Sequence, residues 1–321
     1  MAAHALYRRA IPAAARITRW RAPDGWDHRR FDWPAPEHLR ARGSLLFQVG
    51  RGDIFEKYLE LFAHWHARGW SVSAFDWRGQ GGSGRLGTHP HCGHIDRFER
   101  YGEDLAAFAA EWRAGGPAPH VAIGHSMGGH LVLRALAGGV LPVDAAVLVA
   151  PMLGLRAPVP PRWGERLAEV MMRIGRRDRP AWRGNERPHT RATRQSLLTH
   201  DDERYADEIW WHRANPANRT GPPSWQWLAD AFRSTRELRD DPAVARLDVS
   251  VQLLVADADR LVDAEATVGI AGRMPGAELV RFGSESAHEI LREVDAVRGL
   301  AIEAIDRFLD NHASPRPEAE A

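Results

Sequence analysis

One pentapeptide constrains this chain more than any other feature: Gly-His-Ser-Met-Gly at residues 124–128. An apolar run at 121–123 leads into it, and a helix-forming run at 130–137 follows it. In a G-x-S-x-G pattern the glycines allow a turn too tight for side chains, and the turn presents the serine as an exposed nucleophile. The sequence therefore predicts a strand, a sharp turn and a helix, with Ser126 at the turn.

Apolar strands and amphipathic helices alternate on both sides of this motif. Strands are predicted at 44–49, 71–76, 120–124, 143–150, 249–256 and 277–282, and helices at 54–68, 100–113, 264–273 and 294–311. A β-hairpin is predicted at 15–33, with Asp24-Gly25 at its turn. Near-continuous apolar strands that alternate with helices indicate an α/β protein with a mostly parallel sheet and helices on both faces.

The alternation is interrupted once, after the sixth strand. Residues 152–241 are rich in arginine, proline and tryptophan, with helical patches and no convincing strand. We therefore predict an N-terminal arm at 1–14, a first part of the core at 15–151 and a helical cap at 152–241. The second part of the core follows at 242–312, and a flexible polar tail at 313–321.

Composition narrows the possible partners and location. The 43 basic residues are balanced by 42 acidic residues, which gives no case for nucleic acid as a partner. Lysine occurs once, at Lys57, and the sequence alone gives no reason to assign it a function. A single cysteine and no long apolar run favour a cytoplasmic protein. The arginines of residues 1–21 are compatible with peripheral contact to the inner membrane, but a solvated arm is the favoured interpretation.

A serine hydroxyl needs a base to take its proton, and that base needs a third group to orient it. In enzymes with this turn the chain order is serine, acid, histidine, each on a loop after a strand. Asp259 follows the strand at 249–256, and His288 follows the strand at 277–282. These residues are the predicted catalytic partners of Ser126. The other candidates for the acid are Asp257, as a turn residue, and Asp263, as a helix cap.

The remaining parts of such a site are donors for an oxyanion. One donor is predicted to be the backbone N–H of Met127, directly after the nucleophile, and the second the N–H of Arg51. Arg51 belongs to a Gly-Arg-Gly-Asp loop at 50–53, whose glycines allow close approach to a substrate. His125 is interpreted as a packed neighbour of the serine, since adjacent residues on this turn point apart.

A competing chemistry is suggested by the H-x-H-x-x-H spacing of His89, His91 and His94. Dinuclear metallohydrolases with this spacing usually carry an aspartate where Gly93 stands, and no further ligand set is evident. A polar surface loop is therefore favoured over a metal site, and no metal or other cofactor is predicted.

With these residues in place, the chain resembles the serine hydrolases of the α/β-hydrolase fold over residues 44–310. More narrowly, it is similar to the bacterial lysophospholipase and monoacylglycerol lipase branch. The resemblance rests on Gly-Arg-Gly-Asp-Ile-Phe-Glu-Lys-Tyr at 50–58, Asp-Trp-Arg-Gly-Gln-Gly-Gly-Ser-Gly-Arg at 76–85 and Gly-His-Ile-Asp-Arg-Phe at 93–98. Residues 198–201 and 221–227 resemble elements of that branch's cap. Many relatives carry His-Gly where this chain has Val49-Gly50.

The resemblance implies a carboxylic-ester hydrolase that acts on a single-chain lipid through an acyl-enzyme. Cap residues Trp225, Trp227, Met171 and Met172 are the candidates for contact with the acyl chain, and packing of the cap onto the core is the alternative for the tryptophans. A proline-type serine aminopeptidase or a thioesterase on the same scaffold stays open. An aminopeptidase needs acidic cap residues for the substrate amine, and the candidates are Asp201, Asp202, Glu203, Asp207 and Glu208. A binding protein that has lost its catalysis is disfavoured, because no triad residue is missing.

Overall fold

The computed structural model describes residues 8–156, 161–175, 177–182 and 194–314. Eight strands of these residues form one sheet: β1 (Arg16–Arg21), β2 (Asp27–Trp33), β3 (Gly43–Gln48), β4 (Trp70–Phe75), β5 (His120–His125), β6 (Ala145–Val149), β7 (Ser250–Ala256) and β8 (Glu278–Phe282). Their order across the sheet is β1-β2-β4-β3-β5-β6-β7-β8. The hairpin β1–β2 and the pair β2–β4 are antiparallel, and every other pair is parallel.

Both faces of the sheet are covered. Every residue of β3, β5 and β6 is buried, and successive side chains of a strand point to opposite faces. The helices of the core are α1 (Leu59–His66), α2 (Glu99–Gly115) and α3 (Met127–Ala137) in its first part. The mostly parallel, doubly covered sheet predicted from the sequence is confirmed.

The cap segment departs from the sheet after β6, as predicted, and the sheet resumes with β7. The described part of it contains the helices α4 (Pro161–Arg173), α5 (Gln195–Leu198), α6 (Asp202–Ala214) and α7 (Trp225–Asp240). Helices α8 (Ala264–Ala271) and α9 (Asp295–His312) then complete the core. The helix α4 packs on α7. The domain boundaries given above stay a prediction.

Two local predictions need correction. The helix predicted at 54–68 is divided into a 3-10 turn at Phe55–Tyr58, whose four side chains are buried, and α1, which ends at His66. The N-terminal arm, which was predicted to be solvated, is bound to the cap where the structure describes it. Arg8 and Arg9 contact Asp207 of α6 at 2.6 and 2.7 Å. Residues 1–7 of the arm, 157–160, 176 and 183–193 of the cap and 315–321 of the tail lie outside the described residues. Among the described helices, we find none with the length and apolarity that a bilayer crossing requires.

The sharp turn between β5 and α3 depends on glycines that let the helix lie against the sheet. A Cβ atom placed on Gly124 would stand 2.6 Å from the backbone nitrogen of Gly129, and one placed on Gly128 would overlap the carbonyl group of Gln48. Real side chains do not tolerate such distances. The helix that follows the serine is therefore fixed at a separation that only glycine permits.

We expect Gly128→Ala to lower the free energy of unfolding by about 1–3 kcal/mol, because the added methyl group overpacks rigid backbone. Urea unfolding followed by tryptophan fluorescence measures the change. Gly102→Ala is the matched control: this glycine lies within α2 and has open space where a methyl group would be added, so alanine is expected to stabilise by up to about 1 kcal/mol. An unchanged midpoint for Gly128→Ala would contradict the packing argument.

Candidate active site

Ser126 occupies the turn between β5 and α3 in a backbone conformation that few residues adopt. Its φ and ψ angles are 54° and −118°, a costly region for any residue other than glycine. Two backbone bonds hold the turn: the Ser126 N–H donates to the Val149 carbonyl at 3.0 Å, and the Ser126 carbonyl accepts from Met152 at 3.0 Å. The side chain lines a cavity under the cap. The strained turn thus presents the side chain of Ser126 to this cavity.

His288 lies beyond β8 and lines the same cavity. Its Nδ1 atom is 2.6 Å from Oδ2 of Asp259, and Oδ1 of Asp259 accepts the N–H groups of Leu261 and Val262 at 2.7 and 3.1 Å. With Nδ1 donating to the carboxylate, Nε2 of the neutral ring is left as the acceptor that a base requires. Ser126 and His288 thus line one cavity, and Asp259 contacts His288 from behind the cavity wall. Their role as a catalytic triad stays a prediction.

Electrostatics links the acid to the histidine. Burial opposes ionisation of Asp259, but the charge of His288 and its hydrogen bond outweigh burial and lower the pKa of that carboxyl. Burial likewise lowers the pKa of His288, yet Asp259 outweighs it and the pKa of His288 is raised above its ordinary value of 6.5. Only the neutral imidazole accepts a proton. Its availability as a base therefore increases as the pH rises through this raised pKa.

The alternative candidates have other partners. Asp257 pairs with Arg281 at the surface at 2.9 Å, and Asp263 caps α8 by accepting from the Glu265 N–H at 3.1 Å. The ring of His125 is buried, with Nδ1 at 2.9 Å from the Tyr58 hydroxyl. The prediction of a helix cap at Asp263 is confirmed, and Asp259 is the carboxylate in contact with His288.

The loop after β3 lies directly beside the serine. A Cβ placed on Gly50 would stand 3.2 Å from Cβ of Ser126. The Arg51 guanidinium donates to the Gly221 carbonyl at 2.9 Å and lies 5.4 Å from the ring centre of Trp227. The Met127 N–H belongs to the first turn of α3, where backbone N–H groups favour negative charge. The assignment of the Met127 and Arg51 N–H groups to an oxyanion hole stays a prediction.

The cavity above Ser126 has a volume of about 580 Å³ and mostly apolar walls. Trp225 and Trp227 line it, as do Leu167 and Phe232. Met171 and Met172, also predicted as substrate contacts, do not: both are half-buried on α4, a turn beyond the lining residue Leu167. The cap tryptophans thus line the cavity, and Trp227 also packs against the core at Phe98. Their contact with a substrate stays a prediction.

A buried charge cluster beneath the cavity was missed by the sequence reasoning. Lys57 contacts Asp53, Glu208 and Glu289, and its side chain has no exposed surface. Asp53 and Glu289 also line the cavity. The one signal in the sequence is the rarity of lysine: a chain that uses arginine everywhere else keeps a single lysine, beside the Gly-Arg-Gly-Asp loop.

The histidine-rich loop does not gather metal ligands. Nδ1 of His94 is 2.8 Å from the Ser224 hydroxyl at the start of α7. Across the described part of the chain, no three His, Cys, Asp or Glu side chains come together as a group that could hold a metal ion. The contacts of His94 are those of a residue that joins the core to the cap.

Comparison with known proteins supports the same chemistry. Residues 40–295 match a family model described as serine aminopeptidase, S33 (Hydrolase_4). The chain is 33% identical over 281 residues to lysophospholipase L2 of Escherichia coli strain K12, covering 83% of this chain and 80% of that protein. It is 26% identical to a probable lysophospholipase L2 of Haemophilus influenzae, with 84% of each covered.

Two solved structures establish the fold. A soluble variant of monoglyceride lipase from Saccharomyces cerevisiae superposes with a TM-score of 0.74 at 17% identity, covering 94% of this chain and 97% of that chain. The monoacylglycerol lipase of Paleococcus ferrophilus gives a TM-score of 0.67 at 20% identity, covering 89% and 99%. At such identities the likeness concerns the α/β-hydrolase fold alone.

We expect Asp259→Asn to slow the labelling of Ser126 by a fluorophosphonate by about 10³–10⁴-fold, because the amide no longer stabilises the imidazolium or selects its tautomer. Gel fluorescence against time measures the labelling rate. Asp257→Asn removes a carboxylate two residues away that does not contact His288, and it is expected to label at the rate of the unsubstituted protein. If the two variants exchanged these results, Asp257 rather than Asp259 would be the acid.

Proposed function

The chain belongs to the Hydrolase_4 family of serine hydrolases with the α/β-hydrolase fold, and we propose that it hydrolyses single-chain lipid esters through an acyl-enzyme formed on Ser126. The observation that carries this proposal is the shared cavity. Ser126 and His288 both line it, and the cap covers it with apolar side chains. A nucleophile and base under an apolar cover suit an ester whose acyl chain must leave water.

The mechanism follows from the contacts of the proposed triad. His288 takes the hydroxyl proton of Ser126 as the serine oxygen attacks the ester carbonyl, and Asp259 holds the ring and stabilises the imidazolium. The N–H groups of Met127 and Arg51 bind the oxyanion of the tetrahedral intermediate. The C–O bond then breaks, and the alcohol leaves with the proton from His288. Water attacks the acyl-enzyme by the same route and releases the acid.

The described acidic cap residues argue against an aminopeptidase. Glu208 is buried against Lys57 at 2.9 Å, and Asp207 against Arg8 at 2.6 Å. Asp201 accepts the Arg204 N–H as a helix cap, while Asp202 and Glu203 contact Gln195 and Arg8. None of the five lines the cavity. All five carboxylates contact other groups of the chain, so the described cavity lacks a cap carboxylate for a substrate amine.

The outer face of α4 supports a peripheral contact with a membrane. Three large apolar side chains on α4 and one on the residue after it are half or more exposed at helical spacing: Trp163, Leu167, Val170 and Ile174. Exposed arginines accompany them at 162, 166 and 173. An apolar stripe with a cationic border suits the interface of an anionic bilayer. Leu167 also lines the cavity, so this surface leads from the interface to the active site.

A substrate panel tests the proposed function. We expect lysophospholipids and monoacylglycerols to be hydrolysed with kcat/KM at least about tenfold above that of aminoacyl amides, because the cavity walls are mostly apolar and the two carboxylates that line it, Asp53 and Glu289, are already paired with Lys57. Release of fatty acid or amine is measured beside Ser126→Ala, which is expected to be inactive. Preference for aminoacyl amides would overturn the lipid proposal, and full activity of Ser126→Ala would overturn the mechanism.

Vesicle binding tests the surface of α4. We expect Trp163→Ser and Ile174→Ser each to weaken binding to phosphatidylglycerol vesicles by about tenfold, since each removes a large apolar group from the interface. Co-sedimentation measures binding, and hydrolysis of a short water-soluble ester is expected to stay unchanged. Leu300→Ser, at a similarly exposed leucine of α9, is the control. Equal loss of binding in the control would remove the assignment to α4.

A further inference from the structure

The charge cluster under the active site joins three separate parts of the chain. Nζ of Lys57 lies 2.5 Å from Asp53 in the loop after β3, 2.6 Å from Glu289 directly after His288, and 2.9 Å from Glu208 on α6 of the cap. All four side chains are at most 4% exposed. One lysine therefore links the core, the histidine segment and the cap.

Two arginines complete the cluster. Arg292 contacts Glu289 and lies 3.5 Å from Glu208, and Arg194 lies 3.4 Å from the other oxygen of Glu208. Burial alone would raise the pKa of Glu208, but Lys57 and then Arg194 outweigh it, and the pKa falls to about 2. Glu208 therefore carries its charge at every working pH. Buried charges of this kind persist only when each has its partners, which makes the cluster sensitive to loss of any member.

The backbone of the histidine segment is bonded to the cap as well. The N–H groups of His288 and Glu289 donate to the carbonyls of Leu197 and Leu198, at 3.4 and 2.7 Å. The Thr199 hydroxyl donates to the Arg292 carbonyl at 2.8 Å. The segment that carries His288 thus takes part of its support from α5 and the residue that follows it, not from the sheet alone.

We propose that Glu208 is a positioning residue: through Lys57 and Glu289 it holds the His288 segment, so that α5 is a fixed wall of the active site and α5 and α6 do not act as a mobile lid. The proposal rests on the proposed role of His288 as the base. Glu208 touches neither the reacting atoms nor the described cavity surface. Its effect on the reaction passes through the cluster.

The groups that face His288 determine how loss of Glu208 changes the base. Asp259 faces it from the loop after β7, Asp53 and Glu289 lie in the cluster, and the ring of His125 is 4.8 Å away, centre to centre. Asp259, Glu289 and Asp53 all raise the pKa of His288. The cations of the cluster, Lys57, Arg194 and Arg292, oppose them. Neutralising Glu208 leaves these cations in excess, so the pKa of His288 is expected to fall.

Glu208→Gln tests the proposal with p-nitrophenyl butyrate as the substrate. We expect kcat to fall at least about fivefold with KM changed less than about twofold, and the acidic limb of the kcat/KM profile to move about half a unit to lower pH. Glu203→Gln removes an exposed carboxylate from the same helix and is expected to leave both unchanged. A fall in kcat of Glu208→Gln with the pH limb unmoved would indicate only a loosened cap and would overturn the proposed link through Lys57 and Glu289.

Glu208→Asp keeps the test decisive if Glu208→Gln fails to fold. It retains the charge but withdraws the carboxylate from Lys57, so we expect kcat to fall while the pH limb stays in place. Titration of the His288 ring by NMR, assigned with His288→Gln, reads the same pKa without turnover.

Folded variants with the kcat and the His288 titration of the unsubstituted protein would overturn the proposal. An inactive parent protein, or an active Ser126→Ala, would instead indicate failure of the proposed function.

Discussion

The carboxyl ends of parallel strands meet at one edge of the sheet, and the active site depends on that geometry. The loop after β3, the turn after β5, and the loops after β7 and β8 bring Gly50, Ser126, Asp259 and His288 to this edge. These residues are far apart in sequence, and the sheet brings them together. The chemistry is therefore a property of strand order and direction, and the helices serve to keep that order buried on both faces.

Part of this arrangement could be predicted from residue pattern because it is local or directional. The apolar strands, the glycine-bounded turn at Ser126 and the acid–histidine order all follow from spacing along the chain. Asp259 was preferred to Asp257 and Asp263 as the acid, and its contact with His288 agrees with that choice. The predicted strands match those of the structure to within one or two residues at most ends.

The contacts that could not be predicted join residues that are distant in sequence and depend on which charged side chains meet. Periodicity shows which face of a helix is buried, but not which distant charge meets it there. The charge cluster around Lys57 joins residues from the core and the cap, so no window of sequence contains it. The methionines of α4 failed for a related reason: apolar character marks both the cavity lining and the neighbouring packed turn, and only position along the helix separates Leu167 from Met171.

The cap is built from two unlike halves, and this division has a consequence for how such an enzyme diversifies. The helices α4 and α7 pack on each other and supply Leu167, Trp225 and Phe232 to the cavity. The histidine segment is instead bonded to residues near α5 and α6. Substitutions in the first half can reshape the cavity that we propose for the acyl chain, while the second half keeps its bonds to the histidine segment. The range of substrates can therefore change during evolution while the catalytic centre stays the same.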